Sequence, residues 1–372
     1  MALSRRELLA ASALLLAGAG PAGTALRAGA REASAGAKLA KPIILCWNEN
    51  PYGPSPAARR AAAAAVAESC RYPDDEVDAL VADLAAREAI GADHFVTGTG
   101  SGELLRALGM LYARDGGEIL AARPTYEELP HYARTCGARL RYVPLDQAMR
   151  HDLPAMHAAL SPRTRAVYLC NPNNPTGTAL PAAAIRDFVA ALPDSVTTVI
   201  DEAYLDFAVG GDIGSAKDLV AQGRRVVILR TFSKIHGMAG IRCGYAIARP
   251  DIAKALAAAR MTTPNIFAMR AARASLGDRE FLADCRRRIL ASRTRITTEL
   301  ARLELAYAEP QGNFVFFDTG MPLKRFAELM RARNILVGRR FAPYENWCRI
   351  TIGTEPEVEA FVGALREVAA RA

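Results

Sequence analysis

The chain has 372 residues, 51% hydrophobic and 23% charged, with 28 Gly and 21 Pro, an ordinary globular composition. That length carries one large domain with a smaller one attached. The net charge of +8 does not mark a nucleic-acid binder, because the arginines sit among acidic residues in stretches such as "DCRRRILASRTRITTEL", with no long basic run.

The N-terminus, "MALSRRELLAASALLLAGAG", pairs Arg5 with Arg6 ahead of an apolar run from Leu8 to Ala19. The run is shorter than the roughly 20 residues of a membrane span, so no stable membrane association is expected. Ala28-Gly29-Ala30 then fits a small-residue cleavage site. The S-R-R-x-L-L pattern resembles a twin-arginine signal, which predicts export to the periplasm or beyond and takes residues 1–35 out of the fold. The seven cysteines are scattered, with no CxxC pair and an odd total, so neither a disulfide framework nor a metal site is expected.

From residue 75 onward helix and strand alternate. "DDEVDALVADLAAREAIG" has helical spacing at Val77, Leu80, Val81 and Leu84. "HFVTGTGSGELLRAL" reads as strand, glycine-rich turn and helix. "TRAVYLC", "VTTVIDEAY" and "RRVVILRTF" are short continuous apolar runs that suit buried parallel strands. Alternation of this kind predicts an open α/β sheet. After Pro250 the pattern changes to long helices, expected over 251–262 and 265–303, and then to a mixed segment. "NFVFFDT" and "CRITIGT" read there as strands.

The chemistry-bearing residues fall at the C-terminal ends of the predicted strands, where open α/β sheets bind ligands. Gly98, Gly100, Ser101 and Gly102 precede a helix, and the free N–H groups of such a terminus suit a phosphate. In "NPNNPTG" Pro172 and Pro175 stiffen a loop that presents Asn174. In "VIDEAYLDF" Asp201 ends a buried strand and needs a cation or hydrogen-bonded partner, while Glu202 faces the opposite way. Lys234 stands in "RTFSKIHGMAGIRCGY" among small residues, with Ser233 beside it and Arg242 eight residues on. A lysine amine that condenses with a carbonyl, a phosphate cradle and a buried aspartate together call for pyridoxal 5′-phosphate.

These motifs make the chain similar to the fold-type I pyridoxal-phosphate aminotransferases (class I/II), in the histidinol-phosphate aminotransferase-like group. The resemblance runs from "NENPYGPSP" at 48–56 to "RITIGT" at 349–354. It implies an α/β fold with a mostly parallel seven-stranded sheet flanked by helices, plus a smaller α+β domain. The segment 36–74 would pack on the small domain and a dimer partner, 75–255 would form the large cofactor domain, and 256–372 the small one.

Residue by residue, the resemblance implies that Lys234 forms the Schiff base and shuttles the proton. Asp201 would pair with the ring nitrogen, and Tyr204 and Asn174 would bond the ring oxygen. Tyr126 would stack on the ring. Gly100, Ser101, Gly102, Thr231, Ser233 and Arg242 would surround the phosphate, and Tyr72 would reach it across a homodimer interface. Asn48, Asn50 and Tyr52 lie on a segment expected to fold over the pocket, where Asn50, Tyr52 and Asn174 would contact the substrate, and Asn313 also matches a family position. Arg349 matches the arginine that binds the substrate's anionic group. Where the family usually has an arginine directly after the "ILV" run, this chain has Gly338, with Arg339 and Arg340 following, and Arg339 is the candidate substrate ligand. The implied reaction moves an amino group from an amino acid or similar donor to a 2-oxo acid. The alternatives are an aromatic amino acid aminotransferase or a decarboxylase of the same fold.

Overall fold

The computed structural model describes residues 41–370. The twin-arginine segment lies outside the described residues. Among the described residues eleven strands follow one another: β1 (Ile43–Leu45), β2 (Phe95–Gly98), β3 (Glu118–Arg123), β4 (Arg139–Pro144), β5 (Thr164–Cys170), β6 (Thr197–Asp201), β7 (Val226–Thr231), β8 (Gly244–Ala248), β9 (Phe314–Asp318), β10 (Ile335–Val337) and β11 (Trp347–Thr351).

Seven of them form one sheet in the order β2-β8-β7-β6-β5-β3-β4. All pairs are parallel except those made by β8, which runs antiparallel to both β2 and β7. The expected sheet is therefore present. The continuous apolar runs have the cause proposed for them: both faces are covered. Leu120, Val167, Leu169, Ile200 and Ile228 pack into one layer, and Ile119, Ala121, Tyr168, Val199 and Val227 into the other. A buried Leu or Ile contributes about 1.5–3 kcal/mol by leaving water, which favours this two-sided arrangement.

A second core gathers β9, β11 and the helices Arg279–Arg302, Leu323–Arg331 and Glu355–Ala369, with Phe314, Phe317, Phe326 and Phe361 at its centre. β1 pairs in parallel with β10 and adds Leu45 to this core, so the segment before residue 50 is tied to the C-terminal part of the chain.

The expected helix over 265–303 is two helices, Ile266–Gly277 and Arg279–Arg302, broken at Gly277-Asp278. Glycine and aspartate both disfavour helix interiors, and the break separates two packing partners. Ala268, Met269, Ala271 and Ala272 join the core of the large sheet, whereas Cys285, Ile289, Ile296 and Leu300 join the second core. Of the seven cysteines, all free thiols, Cys170, Cys243, Cys285 and Cys348 are buried. Among the described residues no helix is long and apolar enough to cross a membrane.

Candidate active site

Because β3, β5, β6 and β7 are parallel, their C-terminal ends share one edge, and β2 adds its own end across β8. A cavity of about 300 Å³ opens there. Ser101, Gly102, Tyr126, Asn174, Asp201, Tyr204, Thr231, Ser233, Lys234, Arg242, Arg339 and Arg349 all line it, so twelve of the residues singled out by sequence meet in one place.

One end is built for an anion. The helix Ser101–Ala113 starts at Gly100, which has φ 80° and no side chain to cap the first turn. Its first N–H groups are thus left for a ligand, with the positive end of the helix behind them. A Cβ on Gly100 would lie 2.2 Å from Arg242 Nη2, and one on Gly244 would lie 2.3 Å from the Ser101 nitrogen. Glycine is required at both positions to bring the guanidinium and the helix terminus together. Arg242 itself adopts φ 68° and donates to the Ala239 carbonyl at 2.8 Å and to Ser233 Oγ at 3.3 Å. Thr231 Oγ1 donates to Ser233 Oγ at 3.0 Å and accepts from the Ser233 N–H at 3.1 Å.

Asp201 lies at the floor, buried at the end of β6. One oxygen accepts the Ala203 N–H at 3.1 Å and the other accepts the Tyr168 hydroxyl at 3.3 Å. Burial pushes its carboxyl up to about 6, opposed by those two donors and by Lys234. Glu202 points the other way, as strand alternation requires, and its carboxylate takes Arg230, Ser215 and the Ala216 N–H.

The "NPNNPTG" loop divides its asparagines by task. Asn171 accepts the Leu180 N–H at 2.7 Å, and Asn173 bonds the Pro124 carbonyl, Thr125 and Thr176. Those two hold the loop. Asn174 faces the cavity, taking Arg349 Nη1 on its carbonyl oxygen at 2.6 Å and directing its Nδ2 to Tyr204 Oη at 3.4 Å. Burial raises the Tyr204 phenol, which keeps it protonated.

Lys234 Nζ donates to the Asn48 carbonyl at 3.0 Å and lies 5.3 Å from the centroid of the Tyr204 ring. Burial, then the charge of Arg349, brings its amine down to about 8, against the pull of Asp201 and Glu49. A sizeable fraction is therefore free base at mildly alkaline pH, as an amine nucleophile requires. Arg349 is 8% exposed, donates Nη2 to the Cys46 carbonyl at 2.7 Å and stacks within 5.1 Å of the Phe341 ring. Its Nε is buried without a protein acceptor among the described residues.

Asn313 braces the chain from outside the cavity, donating Nδ2 to the Asn48 and Glu49 carbonyls at 3.1 and 3.2 Å, and three further candidates are placed elsewhere. Asn50 is buried outside the cavity, donating to the Ile235 carbonyl at 2.8 Å. Tyr52 packs against the second core under the guanidinium of Arg288. Both anchor the segment whose Trp47 and Asn48 carbonyls face Lys234, without lining the cavity themselves. Tyr72 is 91% exposed and lies outside the cavity of its own chain.

Other residues were missed. Tyr168 supports Asp201 from the neighbouring strand. The β5–β6 register sets Cys170 opposite Asp201, so Tyr168 shares its face, and a hydroxyl in the run "AVYLC" was the available signal. Glu103 accepts the Thr99, Met261 and Thr262 N–H groups and so braces the glycine-rich turn. Trp47 and Phe341 line the cavity but belong to no motif.

The model of the aminotransferase class I and II family matches residues 40–365. The chain is 38% identical to histidinol-phosphate aminotransferase of Moorella thermoacetica, covering 88% of this chain and 86% of that protein. It is 37% identical to aromatic amino acid aminotransferase of Rhodococcus opacus, covering 88% and 91%. The crystal structure of histidinol-phosphate aminotransferase from Sinorhizobium meliloti in complex with pyridoxal-5′-phosphate superposes with a TM-score of 0.82 at 29% identity, covering 89% and 91%. With its residues gathered in one cavity and this match along most of its length, the chain belongs to the class I and II aminotransferases.

Proposed function

We propose that this protein is a pyridoxal-phosphate-dependent aminotransferase that takes its amino group from an amino acid or a similar amine bearing one anionic group. The observation that carries this is the meeting in one cavity of Lys234, the buried Asp201 and the anion cradle of Gly100, Ser233 and Arg242. The residues fit the cofactor at each of its polar ends. Bound there, the cofactor supplies an aldehyde for an amine and a protonated ring nitrogen that draws electrons from the substrate's α-carbon.

The protein's own groups do the rest. Asp201 holds the proton on the ring nitrogen. Ser101, Gly102, Thr231, Ser233 and Arg242 hold the phosphate. Tyr126 would cover the ring, while Tyr204 and Asn174 would bond its oxygen. Lys234 would hold the cofactor's aldehyde end and would carry a proton to and from the substrate's α-carbon, a role that its lowered affinity for protons suits. Arg349 grips the substrate's anion by a fork of N–H groups.

A second reading, an aromatic amino acid aminotransferase, is supported by Trp47, Tyr126 and Phe341 on the cavity wall. Arg339, whose guanidinium sits 4.3 Å from the Phe341 ring, is the proposed second ligand, after Arg349, for the substrate's anionic group. We propose further that the protein is exported by its twin-arginine segment and works as a homodimer in which Tyr72 reaches the partner's phosphate site.

The test is the visible spectrum of the cofactor-loaded protein titrated with histidinol phosphate, phenylalanine and glutamate. Conversion of the cofactor band by one donor, with release of the matching keto product, supports transamination and names the donor. A cofactor band that no amine converts, or one accompanied by carbon dioxide release, overturns it.

A further inference from the structure

We infer that Asn48 is a positioning residue that turns Tyr204 into an obligate hydrogen-bond donor toward the cavity. The inference rests on the aminotransferase reading of this site. Asn48 is 1% exposed and occupies left-handed backbone at φ 55°, a region that asparagine enters more readily than other non-glycine residues and that glycine also accepts. Here four bonds hold it. Its N–H donates to Thr351 Oγ1 at 2.8 Å, and the Thr351 hydroxyl faces Asn48 Oδ1 at 3.4 Å. Its carbonyl accepts Asn313 Nδ2 at 3.1 Å and Lys234 Nζ at 3.0 Å.

The hydroxyl of Thr351 leaves the Asn48 amide nitrogen to face Tyr204 Oη, at 3.2 Å. Asn174 is oriented independently, because its Oδ1 takes an arginine, which can only donate, and its Nδ2 therefore also faces Tyr204 Oη. Two N–H donors occupy the acceptor sites of one phenol oxygen. The phenol's own proton then has one direction left, into the cavity, where the cofactor's ring oxygen lies in the proposed function. One residue thus sets the donor toward the cofactor with its side chain and the resting place of the Lys234 ammonium with its carbonyl.

Asn48→Gly tests this cleanly. Glycine accepts φ 55° without strain and keeps both the carbonyl and the N–H, so only the amide side chain is lost. The measurement is the pH midpoint of the cofactor's visible absorption change in the loaded holoenzyme. It is made for wild type, Asn48→Gly, Tyr204→Phe and the double variant, alongside the cofactor affinity of the stripped proteins. Losing a donor to an anionic ring oxygen disfavours the deprotonated form, so the midpoint moves up. The expected shift for Asn48→Gly is about half a pH unit, roughly threefold in proton affinity, and it vanishes in the Tyr204→Phe background. Asn48→Asp, which offers the phenol an acceptor and draws its proton out of the cavity, is expected to shift it further.

A midpoint that moves in Tyr204→Phe but not in Asn48→Gly overturns the inference and leaves the site reading intact. So does an Asn48→Gly shift that persists unchanged in the double variant. If Tyr204→Phe itself leaves the midpoint unmoved, the assignment of Tyr204 to the cofactor fails, and the inference falls with it.

Discussion

Arg349 and Asn174 are 175 residues apart in sequence, yet Arg349 Nη1 donates to Asn174 Oδ1 at 2.6 Å inside the cavity. The contact ties the arginine on β11, which is anchored in the second core, to the loop that follows β5 of the large sheet. An anion held by Arg349, as proposed above, would thereby be placed with respect to Asp201 and Lys234 by two separate packed elements.

Replacing Arg349 by Lys keeps the charge but removes the planar fork and the bond to the Cys46 carbonyl. Loss of a buried, hydrogen-bonded charge contact of this kind costs about 2–3 kcal/mol, so kcat/KM for the amino donor is expected to fall roughly 30- to 160-fold. Cofactor affinity is expected to stay near that of wild type, because Asp201, Arg242 and Lys234 are untouched. Steady-state kinetics with a cofactor titration separates the two effects, and an equal loss in both would argue against a substrate role.

Gly100→Ala probes the other end of the cavity. The new methyl group would meet Arg242 Nη2 at 2.2 Å, and its φ of 80° with ψ 159° belongs to a region that only glycine visits freely. Arg242 must then leave the cradle. Affinity for pyridoxal phosphate is expected to drop at least about tenfold, the loss of about 1.4 kcal/mol from one charge-assisted contact. Affinity for pyridoxal, which lacks the phosphate, is expected to change little. Equilibrium binding to the stripped protein reads both, and equal losses for the two ligands would place the phosphate elsewhere.

The cofactor-free protein carries a pH signature of Lys234. Its amine titrates near 8 in the fold and near 10.5 unfolded, so between those values the unfolded chain holds a proton that the folded chain has released. Stability from this group therefore rises as pH rises from about 8 to about 10.5, and the cost of burying the charge is fully present below 8. Other buried phenols and thiols act in the opposite sense, so the signal is the difference between wild type and Lys234→Met. That difference in Tm is expected to favour the variant near pH 7 and to shrink toward pH 10. A difference independent of pH would mean that the amine is not desolvated. In the loaded enzyme the same substitution is expected to abolish turnover, since no other amine lines the cavity among the described residues.

Much of this was legible in the sequence because motif position and strand parity carry geometry. Asp201 against Glu202 follows from alternation along β6 alone, and the ligand edge follows from the parallel order of buried runs. What could not be read depended on tertiary placement. Asn50 and Tyr52 sit two and four residues after Asn48, yet the turn at Pro51 and Gly53 carries them out of the cavity, which no local pattern reports. Phe341 reaches the wall of the site from a loop closed by the Phe341–Tyr344 bridge and packed on Phe316. The division of the helical stretch at 277–278 was signalled by Gly-Asp, but continuous helical spacing on both sides masked it.

Tyr72 supplies the last prediction. In a single chain it is 91% exposed and touches nothing in its own cavity, so truncating it costs the monomer fold little. Tyr72→Ala is therefore expected to leave the thermal transition of the cofactor-free protein within about a degree or two of wild type, the effect of less than about 0.5 kcal/mol in a chain this long. If the partner's Tyr72 completes the phosphate site, the same variant weakens pyridoxal phosphate roughly three- to tenfold, as loss of one hydrogen bond of about 0.5–1.5 kcal/mol requires. Light scattering on the loaded protein should then report a mass of two chains. A wild-type-like cofactor affinity in Tyr72→Ala, or a monomeric mass at full occupancy, would mean that each cavity is complete within its own chain.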